Sequence, residues 1–374
     1  DFVDNLKLRA SWGQLGNQEI DDYLFYDTYS FGYDYSFGNT LFSGISINDV
    51  MANSAITWEK TDQIDVGIDA DFWGGKLSFT GDFFLKNTHA ILLKLPMPDL
   101  IGVDAPMQNA GKVRNTGFEL ALTHRNQLNL FKYSASFNFS YVKNEITDLN
   151  GGDIPGRSVG DPVDNIYGYV CEGIFRTQEE IDNSCSQIWG AVPGDLKYAD
   201  INNDNVVDQS DRISLGSTFP KINFGLRLNC EYRNFDLTML MQGAGMVKGV
   251  TAGEISQAFM NGGKVTEEWL DRWTPNNINA SYPRLTLSSS SRNYMTSSFW
   301  VQNASYLKMR NLQIGYTIPK HLLTNWGISN LRLYCSIDNL FTITNFKGLD
   351  PEMVTSSTLY PLTRNYSFGV NLSF

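Results

Sequence analysis

The sequence predicts an all-β protein: an antiparallel transmembrane barrel wall, not a soluble sandwich. Three observations carry this. Apolar and polar residues alternate over long stretches, the alternation recurs along most of the chain, and tight turns alternate with very long connections. Successive side chains of a strand face opposite sides of the sheet, so each stretch has one apolar and one polar face. In an outer-membrane barrel these faces meet lipid and lumen respectively.

In chain order, weak strand patterns appear near Leu6 and Tyr23. Ile64, Val66, Ile68, Ala70 and Phe72 then alternate with Gln63, Asp65, Gly67, Asp69 and Asp71. Leu77 to Lys86 repeats the pattern, Phe118 to Thr123 gives a shorter version, and Tyr133 to Tyr141 a longer one. A weak segment at Tyr167 precedes Ile222 to Tyr232, Phe235 to Gln242, Leu307 to Tyr316 and Leu331 to Ile337. The last ten residues place Tyr366, Phe368, Val370, Leu372 and Phe374 opposite small polar residues. This amounts to roughly 11–12 strands, each near the ~9–11 residues that cross a bilayer.

Connections differ sharply in length. Trp73-Gly74-Gly75-Lys76, residues 126–130 and Arg233-Asn234 are tight turns, whereas 143–165, 173–220, 247–301 and 341–363 read as long extracellular loops. Short turns at one end and long loops at the other are the pattern of an outer-membrane barrel, and such loops are uncommon in a compact soluble domain. Trp73, Tyr133, Tyr141, Tyr232 and Tyr316 lie near strand ends, as interfacial girdles do. Short helices are predicted to open at Thr177 and Thr266, each followed by paired glutamates.

Composition agrees. No apolar run reaches the ~18 residues of a membrane helix, and mean hydropathy is -0.25. A barrel needs only half its strand residues apolar, so that value does not exclude the membrane. A net charge of -11 makes the chain a poor binder of nucleic acid phosphates. Cys230 and Cys335 fall on apolar strand faces as buried thiols, while Cys171 and Cys185 flank a loop and would bridge only if geometry allowed. The start, Asp1-Phe2-Val3-Asp4, has neither initiator Met nor leader and runs directly into a strand, which suggests an interior start.

The sharpest site signal is Asp200-Ile201-Asn202-Asn203-Asp204-Asn205-Val206-Val207-Asp208-Gln209-Ser210-Asp211. Side-chain oxygens of Asp200, Asn202, Asp204, Asp208 and Asp211, with the Val206 carbonyl, have the spacing that wraps Ca²⁺. Two departures are Asn205 where the loop usually has Gly, and Asp211 where it usually has Glu. Asn tolerates the left-handed conformation that position needs. A structural Ca²⁺ site is therefore expected here; the competing reading is an acidic, turn-rich surface loop. Gly156-Arg157-Ser158-Val159-Gly160 matches a nucleophile elbow by letter, but glycines and prolines surround it where a strand and a helix are required. His89, His124 and His321 share no metal-ligand spacing, and Gly243-Ala244-Gly245 reads as a strand bend. No catalytic residue set emerges, and the residues that would contact a solute are not legible.

Three stretches are distinctive as motifs: Leu6-Lys7-Leu8-Arg9-Ala10-Ser11-Trp12-Gly13, Trp58-Glu59-Lys60-Thr61, and Asn109-Ala110-Gly111-Lys112-Val113-Arg114-Asn115-Thr116-Gly117-Phe118-Glu119. Through them the chain resembles the carboxy-terminal half of a SusC/RagA-type TonB-linked outer-membrane protein of Bacteroidetes. Gly194-Asp195-Leu196-Lys197-Tyr198, Arg272-Trp273-Thr274-Pro275, Ala304 to Asn311 and Asp338-Asn339-Leu340-Phe341 add to the resemblance. The resemblance implies about half of a ~22-stranded barrel, import of oligosaccharides or peptides, a SusD-like surface lipoprotein as lid, TonB acting on a plug, and pairing of such units into a larger assembly. Plug and TonB box are absent from these residues, so the remaining strands are expected from another segment or chain. A catalytic barrel, an adhesive or structural barrel and a soluble sandwich are the alternatives.

Overall fold

The computed structural model describes residues 2–374 except 48–49, 153, 288–290, 356–359 and 361. Ten long strands form one antiparallel sheet: β1 (Val3–Asn17), β2 (Glu59–Phe72), β3 (Leu77–Lys94), β4 (Met107–Leu128), β5 (Phe131–Asp148), β6 (Ile222–Tyr232), β7 (Phe235–Gly245), β8 (Tyr306–Thr317), β9 (Asn330–Thr344) and β10 (Asn365–Ser373). Each pairs with its neighbours in sequence, so the sheet is an up-and-down meander with β1 and β10 at its edges. The described wall thus has ten strands, not eleven or twelve. Tyr23 sits in a turn, and the Tyr167 segment is only the short strand Asn165–Gly168, paired with Ile213–Ser217. Four residues suffice for a loop ribbon but not for a bilayer crossing.

Register makes the two faces continuous. Leu8, Ile68, Gly81, Leu120, Phe139, Phe224, Gly243, Leu307 and Ile343 pair in succession across nine strands. One residue along, the row reads Arg9, Gly67, Asp82, Glu119, Ser140, Asn223, Ala244, Tyr306 and Thr344. A slip of one residue would exchange the faces on that strand, so the alternation itself specifies register. On β2 the apolar row runs from Ile64 to Phe72. At ~3.3 Å per residue and a tilt of ~40° this is about 20 Å of membrane depth, near the ~25 Å apolar band of such barrels. Leu8, Trp12, Val66, Ile343 and Phe368 on this face are each more than half exposed. Apolar exposure on that scale marks a surface covered by something other than water.

Turns 73–76, 129–130, 233–234 and 318–329 lie at one end; connections 18–58, 95–106, 149–221, 246–305 and 345–364 lie at the other. Gly74 and Gly75 hold φ of +67° and +73°, and Arg233 takes the left-handed position of its two-residue turn at +54° while its guanidinium lies over the Tyr232 ring. The loop boundaries differ from the sequence reading in three ways. β5 runs on to Asp148, so the loop begins later than residue 143. The stretches 143–165 and 173–220 belong to one connection. Residues 18–58 form a further long loop, carrying Tyr29–Phe31 paired with Ile45–Ile47 and Tyr35–Phe37 paired with Thr40–Phe42.

The buried apolar clusters lie in the loops, not in the wall. One joins Tyr169, Leu196, Tyr198 and Val207; a second Val247, Ala304, Phe346 and Val354; a third Ala258, Trp269 and Trp300. The barrel presents its apolar residues outward, whereas the loops bury theirs as a soluble domain would.

Candidate functional site: lumenal face and loop layer

The polar face carries two clamps of the same design. Arg9 on β1 pairs with Asp69 through Nε at 2.8 Å and reaches Asp82 on β3 at 2.8 Å. It crosses β2 directly over Gly67, where a Cβ would lie 2.1 Å from the Asp82 carboxylate. On the other flank Arg332 of β9 donates from Nε to Asp236 of β7 at 2.8 Å, crossing β8 over Gly315, where a Cβ would lie 2.4 Å from Asp236. In each, glycine provides the room that lets an arginine bridge alternate strands. Between the clamps lies a trough of hydroxyl, amide and carboxylate groups that includes Glu119, Asn138, Ser140, Asn223 and Gln242. Such a face hydrogen-bonds polar groups and offers no assembled nucleophile and base.

Above the wall the two largest loops interlock. Asn293 is fully buried; its Oδ1 accepts from the Leu196 amide at 2.8 Å and its Nδ2 donates to Asp195 at 2.9 Å. Asp195, also buried, accepts from Arg284 Nε at 2.6 Å. Arg292 enters the 149–221 loop, donating to the carbonyls of Gly190 and Leu196 and to Gln187 Oε1, with its guanidinium over the Tyr198 ring. Burial holds its pKa below the usual arginine value. Gly194, at φ +95°, packs beneath Trp273, where a Cβ would meet the indole at 2.5 Å. Gly194-Asp195-Leu196 and Arg272-Trp273 therefore meet in one joint between loops far apart in sequence. Only the resemblance marked these residues; nothing in their local pattern announces the joint.

The 345–364 loop is latched to the top of β8. Lys308, 2% exposed at its side chain, donates to Asp350 at 2.7 Å and Glu352 at 2.8 Å. Tyr306 Oη donates to Glu352 at 2.8 Å, and Arg310 pairs with the same carboxylate. Burial pushes the Glu352 pKa up, but the hydrogen bonds from Lys308, Tyr306 and Arg310 outweigh it and hold it below the ordinary carboxylate value. A depressed folded-state pKa stabilises above the unfolded value and loses that contribution as pH falls through the folded one. The latch is therefore expected to open on the acid side of the carboxylate range. Amide exchange of residues 346–354 measured from pH 7 down to pH 3 should show protection falling over that window, and Glu352→Gln should weaken that pH dependence.

The acidic loop is shaped by side chains bonded to its own backbone. Asp200 accepts from the amides of Asn203 at 2.7 Å and Asn205 at 2.7 Å, and Asp204 accepts from Val206 at 2.8 Å. Asn203 and Asn205 are left-handed, at φ +62° and +68°, so Asn205 supplies the conformation that Gly would. Asp208 caps the following turn by accepting from Ser210, and Asp211 accepts from the amides of Ile201, Asn202 and Asp208. Val207 is buried in the first loop cluster and anchors the loop. Among the described residues no three His, Cys, Asp or Glu side chains converge as a metal-binding group. Asp200 and Asp211 are occupied with backbone N–H groups instead. The carboxylates are thus bonded to backbone amides and are not drawn together.

Other candidates are dispersed. Cys171 and Cys185 are free thiols packed on the first cluster, and burial raises Cys171 to about 11. Cys230 and Cys335 are free and partly buried. Ser158 follows a two-residue bridge of Ile154 with Arg157, and turns follow it, so the strand and helix of a nucleophile elbow do not flank it. His89 lies 3.5 Å from Asp62, His124 stacks on Tyr133, and His321 sits in a short turn between β8 and β9.

A lipid-facing apolar row, a polar lumenal row and an ordered layer of long loops at one end define a transmembrane β-barrel wall. The family described as TonB dependent receptor-like, beta-barrel matches residues 1–340, and the chain belongs to it. TonB-dependent receptor P3 of Formosa agariphila is 28% identical over 400 residues, covering 98% of this chain and 39% of that protein. TonB-dependent receptor SusC of Bacteroides thetaiotaomicron is 27% identical over 397 residues, covering 100% of this chain and 38% of the relative. The structure of the RagAB peptide transporter superposes with a TM-score of 0.79 at 25% identity, over 100% of this chain and 41% of that one. The chain thus spans about two fifths of these relatives' length. The family is one of outer-membrane transporters rather than enzymes.

Proposed function

We propose that the chain forms part of the wall of a TonB-dependent importer in the outer membrane, which takes up oligosaccharides or peptides under a SusD-like lipoprotein lid. The family match over residues 1–340, on a wall with separate lipid and lumenal faces, carries this reading. The edges β1 and β10 each have one neighbour, and unpaired strand edges are untenable in lipid, so further strands must join both. Those strands and a plug would come from residues outside this chain, and TonB would act on that plug. The RagAB likeness favours peptides as the first solutes to test. Purification from native outer membranes should yield a plug-bearing barrel segment and a SusD-like lipoprotein, paired as a larger assembly. Deletion of the gene should slow growth when one peptide or glycan class is the sole nutrient. A lone chain of this mass, with normal growth on every such nutrient, would overturn the reading.

The 200–211 loop is further proposed to hold a structural Ca²⁺. Asp200, Asn202, Asp204, Asp208 and Asp211 would supply side-chain oxygens, and Val206 its carbonyl. The spacing of the oxygen-bearing residues and the left-handed Asn205 at the position of the usual Gly support this. Asp200→Ala with Asp204→Ala should lose one ion by elemental analysis and raise protease cleavage of the loop. An unchanged ion content, and an unchanged response of cleavage to EGTA, would leave the hydrogen-bonded loop without metal as its whole explanation.

A further inference from the structure

We propose that the outward-facing rim of β2–β5 binds the phosphate of outer-leaflet lipid headgroups through Arg114, Lys143 and Lys60. The inference rests on the membrane placement above and adds a lipid site to it. Register fixes where these side chains stand. The outward apolar row of β2 to β4 ends at the level of Ile64, Leu85 and Thr116, and Lys143 is the β5 residue at that level. One pair higher stand Asp62, Asn87, Arg114 and Glu145, and one pair higher again stand Lys60 and His89. All have the outward parity, pointing away from the lumen. The cations therefore begin where the apolar band stops, on the loop side, at headgroup depth.

Charge and geometry favour an anion. Lys143 and Arg114 are about half exposed and share one carboxylate, that of Glu145, with Arg114 at the longer distance of 3.9 Å. Two cations on one carboxylate leave positive charge uncompensated. Arg114 Nε donates to Asn87 at 3.0 Å, which fixes the guanidinium plane, and its Nη1 lies 3.9 Å from Glu145, beyond hydrogen-bond distance, so the outer edge of the fork is open to phosphate. Lys60 makes no ion pair or side-chain hydrogen bond among the described residues. Asp62, the other carboxylate at this level, accepts from Gln14 Nε2 at 2.8 Å and stands 3.5 Å from His89. In a chain of net charge -11 this excess of cations on a lipid-facing rim stands out from its surroundings. Cations near a membrane surface attract anionic lipid, and a solute in the lumen cannot reach this side of the wall.

The test uses the complete native complex in nanodiscs of zwitterionic lipid, with and without a minor fraction of lipid A as the phosphorylated probe. Retained lipids are counted by native mass spectrometry. Wild type should retain lipid A preferentially. Lys60→Gln, Arg114→Gln and Lys143→Gln together should reduce that retention several-fold, with the zwitterionic belt unchanged. Lys7→Gln, which removes a lumenal cation, serves as the control and should change nothing. Equal retention by the triple variant, with a folded barrel shown by heat-modifiable gel mobility, would overturn the proposal. Loss of a co-purifying protein without loss of lipid A would overturn it in favour of a protein interface. Failure of wild type to retain any lipid would refute the membrane placement instead.

Discussion

Arginine in place of Leu120 is expected to destabilise the assembled barrel by about 2–4 kcal/mol, whereas Ala121→Arg, one residue away, should cost far less. Leu120 stands in the middle of the outward row, paired with Gly81 on one side and Phe139 on the other. Ala121 stands opposite Thr80 and Asn138 on the lumenal face. At the bilayer midplane a cation must be dragged to the interface or solvated by a membrane defect; in the lumen it meets water, Glu119 and amides. Equilibrium unfolding of the complete protein in lipid vesicles checks both variants. Equal penalties would sink the assignment of faces, and with it the membrane reading of the sheet.

Asn293→Ala should separate the two large loops without touching the wall. The substitution strands the Leu196 amide and removes a donor from the buried Asp195 carboxylate. Each orphaned buried group costs about 1–3 kcal/mol, more where charge is involved, so the joint should lose roughly 3–5 kcal/mol. Arg284 still answers Asp195 at 2.6 Å, which keeps the loss at that level. Hydrogen exchange at Leu196 and Tyr198 should accelerate by two or more orders of magnitude, while exchange in β3 and β4 stays as in wild type. Unchanged protection at Leu196 would mean that the Arg292 and Arg284 bonds and the apolar packing hold the joint without Asn293.

Much of the wall was legible because its physics is local. Alternation with period two, as in Ile64 to Phe72 or Ile222 to Tyr232, states both that a strand forms and which side meets lipid. The tight turns at Trp73-Gly74-Gly75-Lys76 and Arg233-Asn234 fix the neighbour and the register. Tyr167 and Tyr23 misled because aromatic residues among polar ones also build loop ribbons and turns, and only length separates these from a crossing. In the acidic loop the left-handed Asn205 was legible, but the left-handed Asn203 was not, nor was the inward turn of Asp211 onto three amides.

The sequence by itself determined the strands, their faces and the separation of short turns from long loops, because each depends on residues a few positions apart. Tertiary structure alone decided what certain single residues are for. Gly67 leaves space for an arginine arriving from β1, Gly194 for an indole from another loop, and Lys308 waits for carboxylates some forty residues later. Such roles are defined by contacts between distant segments, and a buried charge or an empty Cβ position acquires meaning only when its partner arrives.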